Sequence, residues 1–361
     1  MRHLLYRYYR ELPLRDRVLA AQRTGQLGLA YTLAFQGLEQ NREDELLYDQ
    51  LRQAALKQAN RVTAKSGILR RGKDLDQIYL NLEVDRNLPG PYRLKLSTDL
   101  RNNQKRGGSA LSDLPGNDQT LSLELRRLFD RGSLGFGLGY RHAMEGFATA
   151  QANLDWKLQS RWDLHLESYW HAQADETSTL LIGGYKDGLF GRLSYRLLPS
   201  TTLSAGLRGD RFSGQDGTEL GSGYRWLFRA TRQFRNGYPD LYAELYAEGG
   251  RYREKNGSHG AIDSLLETPG RILPDDDTYL GFGLGYGAQN ASGYTRVWRP
   301  FAQFSTYYSL ETRNPSFSLG GGFGGECFGQ DHLVLGFDYS QTVLGTDEPS
   351  FDLYLRYNLL Y

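Results

Sequence analysis

The sequence predicts an all-β transmembrane barrel of about sixteen antiparallel strands, preceded by a short α-helical segment. Three observations carry this. From Arg61 to Tyr361, segment after segment alternates apolar and polar residues with the period of a strand. One face of the alternation is Leu, Phe, Trp, Tyr and Ala almost without charge, while the other is Gly, Ser, Thr, Tyr and charged residues. The composition favours strands, with 43 Gly, 25 Tyr and 16 Phe against two Met and one Cys.

At 361 residues, 39% hydrophobic and net charge +1, the chain has room for one large or two medium domains, and nothing marks it as a binder of nucleic acid. No apolar run approaches the ~18 residues of a membrane-crossing helix. A mean hydropathy of -0.57 is compatible with a membrane barrel, because every second residue of such a strand faces a wet lumen. Cys327 has no partner for an intrachain disulfide, and no Cys or His cluster has metal-site spacing, so neither cofactor nor metal is expected. The opening Met1–Arg10 lacks the apolar core of a signal peptide, so a fragment of a longer exported chain is expected.

Residues 1–60 read as helical. Leu29 and Leu33, and Leu47 and Leu51, recur at four-residue spacing among alanines, with breaks expected at Gly25 and at the step from Asn41 through Arg42 to Asp44. The texture of Leu27–Phe35 resembles a tetratricopeptide unit, which implies the periplasmic end of a longer array; a plain helical cap on the barrel is the alternative.

Residues 61–361 read as the barrel. Val62–Arg70 opens it. Ile78, Leu80, Leu82 and Val84 then alternate with polar residues, turn at Asn87–Gly90, and return through Tyr92, Leu94 and Leu96. Leu121–Leu125 and Leu134–Tyr140 pair across Asp130–Gly132; Ala152–Trp156 and Trp162–Leu166 pair across Gln159–Arg161. Further strands are Leu189–Leu197, Leu203–Phe212, Tyr224–Phe234, Leu241–Gly249, Leu280–Tyr286, Trp298–Tyr308, Phe317–Phe323, Leu333–Tyr339 and Phe351–Tyr361. The last ends on an aromatic residue, resembling the closing strand of bacterial outer-membrane barrels. Outward aromatics such as Tyr140, Trp156, Trp162, Trp170, Trp226 and Trp298 lie near strand ends, as an interfacial belt does. A two-sheet sandwich also alternates, but its edges need protection, whereas sixteen hairpin-linked strands close on themselves.

Termini on one side of the membrane require an even strand number and alternating loop lengths. Pro199–Thr201, Arg235–Pro239 and Phe328–Gln330 join the three short turns above; Asn103–Asn117, Gly214–Gly221, Arg253–Asp277 and Thr342–Pro349 are longer and more polar. Parity makes Gln173–Asp187 an outer loop with a helical turn and denies a strand over Thr179–Tyr185. Ala288–Arg296 is longer than its side of the barrel prefers, and the sequence offers no reason.

The junction Ala59–Lys65, the run Glu176–Arg196 and the aromatic closing strand resemble the C-terminal porin domain of the Pel exopolysaccharide export family; Glu176–Arg196 is also similar to the poly-N-acetylglucosamine export porin. The resemblance implies a sixteen-stranded outer-membrane pore for a nascent, partly deacetylated amino-sugar polymer of the biofilm matrix. It also implies periplasmic helices, with a periplasmic lipoprotein ring and a periplasmic deacetylase-hydrolase as partners beside outer-membrane lipid.

Polymer transport needs a wet path and weak repeated contacts, and no nucleophile or metal. Asp163, Glu167, Asp210, Asp338, Asp352 and Tyr354 face inward by parity, as do Tyr242, Glu244, Tyr246 and Glu248, the best stripe for a cationic amino-sugar track because carboxylates and ring faces both attract ammonium groups. Charge pairing also stiffens any water-filled barrel, and tyrosine is also an ordinary strand former. Arg253–Asp277 is the longest loop; its apolar Ile262, Leu265 and Leu266, with the acidic Asp275, Asp276 and Asp277, point to a folded-in plug or gate. The triplet lacks the spacing of a calcium loop. A lipid hydrolase is disfavoured because His165 faces in and Ser168 out, and a catalytic pair must share a face. A diffusion porin or an adhesin barrel is the rival reading.

Overall fold

A computed structural model describes residues 7, 11–24, 26–41, 43–44, 46–48, 50–51, 59–73, 75–107, 111–112, 114–235, 237–267, 270–292, 294–295, 297–329, 331–342, 346 and 348–361, leaving aside the side chains of Arg23, Leu27 and Ser292. The expected break at Gly25, Arg42 of the second break, the helix end over 52–58, most of Met1–Arg10, Gln330, and parts of the expected loops 103–117, 253–277, 288–296 and 342–349 lie outside the described residues.

Helices α1 (Leu14–Arg23) and α2 (Leu27–Gln40) pack through small residues, with Ala20, Ala21, Ala30 and Ala34 letting the backbones approach and Val18, Leu33 and Leu47 filling the seam. The Asp44 carboxylate accepts from the backbone N–H of Leu47 at 2.9 Å and from Arg15 at 2.9 Å, tying the following helical turn to α1.

Sixteen strands follow: β1 (Arg61–Arg71), β2 (Leu75–Asn87), β3 (Tyr92–Lys105), β4 (Asn117–Phe129), β5 (Gly132–His142), β6 (Gly146–Gln159), β7 (Trp162–Gln173), β8 (Gly184–Leu198), β9 (Thr201–Gly214), β10 (Glu219–Arg235), β11 (Leu241–Glu254), β12 (Asp277–Tyr286), β13 (Arg299–Ser309), β14 (Pro315–Gly325), β15 (Asp331–Ser340) and β16 (Ser350–Leu360). Helix α3 (Ser178–Gly183) precedes β8, a 3-10 turn (Gly260–Leu265) lies between β11 and β12, and helix α4 (Ala288–Ser292) lies between β12 and β13. Every strand pairs antiparallel with its sequence neighbours, and β1 closes the barrel on β16 from Arg61↔Leu360 to Arg71↔Ser350. Asn60 and Tyr361 exchange two backbone hydrogen bonds of 3.1 Å, which pins both ends of the barrel at one rim.

The parity of the alternation is the one expected. Leu245, Leu207, Phe228 and Leu353 are exposed on the outer wall, while Glu244, Arg208, Arg229 and Asp352 lie on the inner one. Closure leaves no strand edge unpaired, so backbone polar groups are satisfied as a hydrocarbon surround demands.

Three expectations need correction. The outer loops are shorter than polarity implied, because β3, β9 and β11 run past their apolar stretches: β9 reaches Gly214 and β10 starts at Glu219, so the connection is residues 215–218. The segment Gln173–Asp187 is an outer connection with a helical turn, as expected, but it ends sooner, since β8 begins at Gly184, and its helix α3 is buried inside the barrel. The expected plug is larger than the loop alone, because Leu180, Leu181 and Ile182 of α3 pack with Ile262 and Leu265 and close the end away from the termini.

The connection that sequence left unexplained, beyond β12, also folds inward. Asn290 of α4 donates its amide to the carbonyls of Arg299 and Gly324 at 2.5 and 3.0 Å, and its own carbonyl lies 2.9 Å from His332 Nε2. Its length is used to cross the rim and cover Gly324, which has no side chain to obstruct it.

Candidate functional site

Two segments meet inside the barrel at the end away from the termini. Thr177 caps α3 by accepting from the N–H of Leu180, and the residues that follow, Ser-Thr-Leu-Leu-Ile-Gly, are apolar enough all round to be buried. The 3-10 turn brings Ile262 and Leu265 against it. Leu180, Ile262 and Ile272 pack on Phe212, Leu220 and Tyr252 of β9, β10 and β11; Leu181, Ile182 and Leu265 pack on Leu75 of β2 and on Leu111. Leu266 touches both clusters. β2 and β10 stand on opposite sides of the ring, so this apolar plug spans the lumen.

Polar ties hold the plug to the wall. Arg71 donates to the carbonyls of Asp175 and Glu176, both at 2.7 Å, and to the Glu348 carboxylate at 2.9 Å. Glu348 in turn accepts from the N–H of Ser178 at 3.1 Å. Lys186 meets Glu176 at 2.7 Å with 3% and 1% of the two side chains exposed. Gln215 donates to the carbonyl of Ile182 at 2.7 Å, and Asp216 accepts from the N–H of Ala261 at 2.7 Å. A buried charge left unpaired is costly, so such pairs specify where the helix sits.

Nearer the termini the wall is paved differently. On β11, Tyr242, Glu244 and Tyr246 stand directly opposite Gly285, Gly283 and Gly281 of β12. A Cβ on Gly281 or Gly285 would fall within the facing tyrosine ring, so the rings lie flat across the neighbouring strand and present a face to the lumen. Tyr354 lies likewise over Gly336, and Lys65 sits over the rings of both Tyr354 and Tyr79, 4.4 and 5.1 Å from their centroids. Flat rings beside carboxylates suit weak contact with sugar C–H edges and ammonium groups.

The predicted residues separate into three settings. Glu244 is 3.7 Å from Arg229, Glu248 belongs to the same inward stripe, Asp352 accepts from Lys65 and Tyr79 at 3.1 and 2.8 Å, and Asp338 accepts from Gln303 at 2.9 Å. Asp163 lines a cleft at the terminus end with Gln22 and Thr24 of the helices, and Glu167 is 3.9 Å from His165. Asp210 differs: only 1% of its side chain is exposed, covered by Tyr169 and by Arg208 at 3.2 Å, so it belongs to the floor of the plug and not to an open track. In the loop, Ile262 and Leu265 are fully buried and Leu266 partly so. The acidic triplet is divided: Asp275 pairs with Arg271 at 2.5 Å, Asp276 accepts from the N–H of Tyr252 at 2.7 Å, and Asp277 opens β12, accepting from Ser309 at 2.7 Å.

Sequence reasoning missed α3 as plug material, together with Arg71, Lys186 and Arg141, whose buried guanidinium donates to the carbonyls of Leu181 and Gly184. The Thr177 cap before Leu180-Leu-Ile182 was the available signal. Among the described residues no group of three His, Cys, Asp or Glu side chains converges to hold a metal.

A family model described as the PelB C-terminal beta barrel domain matches residues 56–360. Among solved structures, a bacterial polysaccharide outer membrane secretin is similar at 10% identity and TM-score 0.61, over 84% of this chain and 97% of that one. Pseudomonas aeruginosa OccK11 (OpdR) matches at 11% and 0.45 over 84% and 97%, and CdiB from Acinetobacter baumannii at 11% and 0.46 over 83% and 60%. At these identities the likeness concerns the fold. No curated protein matches.

Proposed function

The chain belongs to the family of PelB C-terminal β-barrel domains, and from that premise we propose that it exports a nascent, partly deacetylated amino-sugar exopolysaccharide of the biofilm matrix through a lumen closed at rest by its own folded-in loops. It is an outer-membrane barrel of a porin-like transport family, not an enzyme fold. The observation that carries the reading is the β11 stripe, whose Tyr242 and Tyr246 rings lie against glycines and alternate with the carboxylates Glu244 and Glu248. A chain of sugars slides best over faces that grip each unit weakly, and carboxylates without a tight cationic partner leave charge for ammonium groups. The plug supports gated rather than free passage, which disfavours a diffusion porin. An adhesin would need neither feature.

Within this reading residues 1–60 are the periplasmic, tetratricopeptide-like end of the helical region and residues 61–361 the barrel. Tyr31 and Phe35 stack at 6.3 Å yet stay exposed, a face that further helices would cover. The periplasmic deacetylase-hydrolase would engage this helical side, and the lipoprotein ring the short turns Asn87–Gly90 and Arg235–Pro239.

The test is conductance of the refolded chain in a planar bilayer, with and without residues 255–271. Large steps on deletion, blocked by a partly deacetylated amino-sugar oligomer and not by its fully acetylated counterpart, are expected. Silence from both forms with good insertion would replace export by an anchoring role.

A further inference from the structure

On the outer wall, at the end away from the termini, Arg211 of β9 and Arg253 of β11 both stand opposite Ser222 of β10. The strands alternate cleanly here: Leu207 points to lipid while Arg208 and Asp210 point to the lumen, so Arg211 faces outward, and Arg253 shares the parity of Leu245. Two strand spacings place the arginines ~10 Å apart. Both are exposed, and neither guanidinium has an ion-pair or hydrogen-bond partner among the described residues. Their neighbours at this rim do: Arg251 pairs with Glu311 at 3.1 Å and Lys255 with Glu219 at 3.0 Å, and across the ring Arg70 pairs with Asp76 at 3.7 Å. Asp187, which stands opposite Arg211 on β8, gives a carboxylate oxygen to the N–H of His171 at 2.6 Å.

Along the same strands an apolar recess begins. Ala205, Ala230, Ala243 and Ala247 keep the outer wall low between Leu203, Phe228, Leu245 and Leu280, which form its ridges. Phe228 is six residues along β10 from Ser222, or ~20 Å at ~3.3 Å per residue, so the recess lies about half a bilayer below the arginines.

We propose that Arg211 and Arg253 bind the phosphates of a phosphorylated membrane lipid of the lipid A class, whose acyl chains lie in the Ala230–Ala247 recess. Guanidinium forks match phosphate oxygens two at a time, and pairing two arginines with one headgroup removes charge that would otherwise stand unpaired at the membrane boundary. This site is on the opposite side of the wall from the lumen, so polymer passage and lipid binding are separable.

The experiment uses the full chain in neutral detergent, with bound lipid read by native mass spectrometry. The probes are bis-phosphorylated lipid A, its dephosphorylated counterpart and inorganic phosphate. Bis-phosphorylated lipid A is expected to bind at least tenfold more tightly than either other probe. Arg211→Gln with Arg253→Gln should cost at least tenfold, while Arg232→Gln at the other rim leaves binding intact. Heat-modifiable gel migration checks that each barrel is folded, and Arg253→Gln alone, expected to lose about threefold, serves if the double variant does not fold. Undiminished binding by the arginine variants, equal binding of the dephosphorylated lipid, or equal binding of inorganic phosphate would each overturn the proposal. Lost export with lipid binding intact would count against the pore reading alone.

Discussion

Arg141 of β5 and Asp118 of β4 form a two-pronged ion pair of 3.0 and 2.7 Å in which the side chains are 1% and 3% exposed. Two further guanidinium N–H groups of Arg141 donate to the carbonyls of Leu181 and Gly184, at 2.9 and 3.1 Å. One buried side chain therefore joins the wall to the helix that crosses the lumen. Replacing Arg141 by Met leaves Asp118 charged and unpaired and frees the carbonyls of Leu181 in α3 and of Gly184 just past it, a local cost of about 3–5 kcal/mol. Bilayer recordings should show α3 released as frequent opening, with β-type circular dichroism unchanged; a folded but silent variant would show that this pair does not hold the plug.

Glu244→Gln with Glu248→Gln keeps the shape of the β11 stripe and removes both charges. Export of deacetylated polymer should slow severalfold, and block by an amino-sugar oligomer should weaken, without a change in single-channel conductance beyond about twofold. Unchanged export from a normally folded barrel would remove the stripe from the path.

Gly281→Val places a branched side chain where the Tyr246 ring lies. Overpacking of this kind costs about 1–3 kcal/mol, and the ring must swing into the lumen. Thermal unfolding should fall and polymer flux should drop, and adding Tyr246→Ala should restore stability but not flux. Failure of the second substitution to restore stability would mean that the strand, and not the ring, resents the side chain.

Acid should loosen the plug through its loops. Burial acts to raise the Asp216 carboxyl, but the N–H groups of Thr218 and Ala261 and the Thr218 hydroxyl outweigh it and hold it below the usual carboxylate range. Burial is likewise outweighed at Asp263 by the His259 N–H and the Ser258 hydroxyl. Folded values below the unfolded ones mean that these ties act in full above about pH 4 and are lost as pH falls through the lowered values. Conductance should be flat from about pH 7 to pH 5 and rise below about pH 4. Asp216→Asn should conduct already at neutral pH; a pore that closes on acidification would contradict the loop ties.

The strand count, the two wall faces and the common rim of the barrel ends were legible in the chain because they follow from local alternation. Leu241 to Gly249 declares its outward and inward sides without reference to any other strand, and the lipid-facing side is selected for being apolar. The inward burial of Ile262 and Leu265 was legible for the same reason, as apolar residues in a loop otherwise rich in charge.

The interior of the barrel was decided only when distant segments met. Arg71 reaches the carbonyl of Glu176 across 105 residues, and Tyr246 finds Gly281 through strand register, so neither partner carries a mark of the other. Asp210 shows the consequence: alternation correctly turns it inward, yet Tyr169, Arg208 and the plug above determine that it is buried there. Period and polarity are properties of a few adjacent residues, whereas a packed lumen depends on which side chains long-range closure brings to the same height.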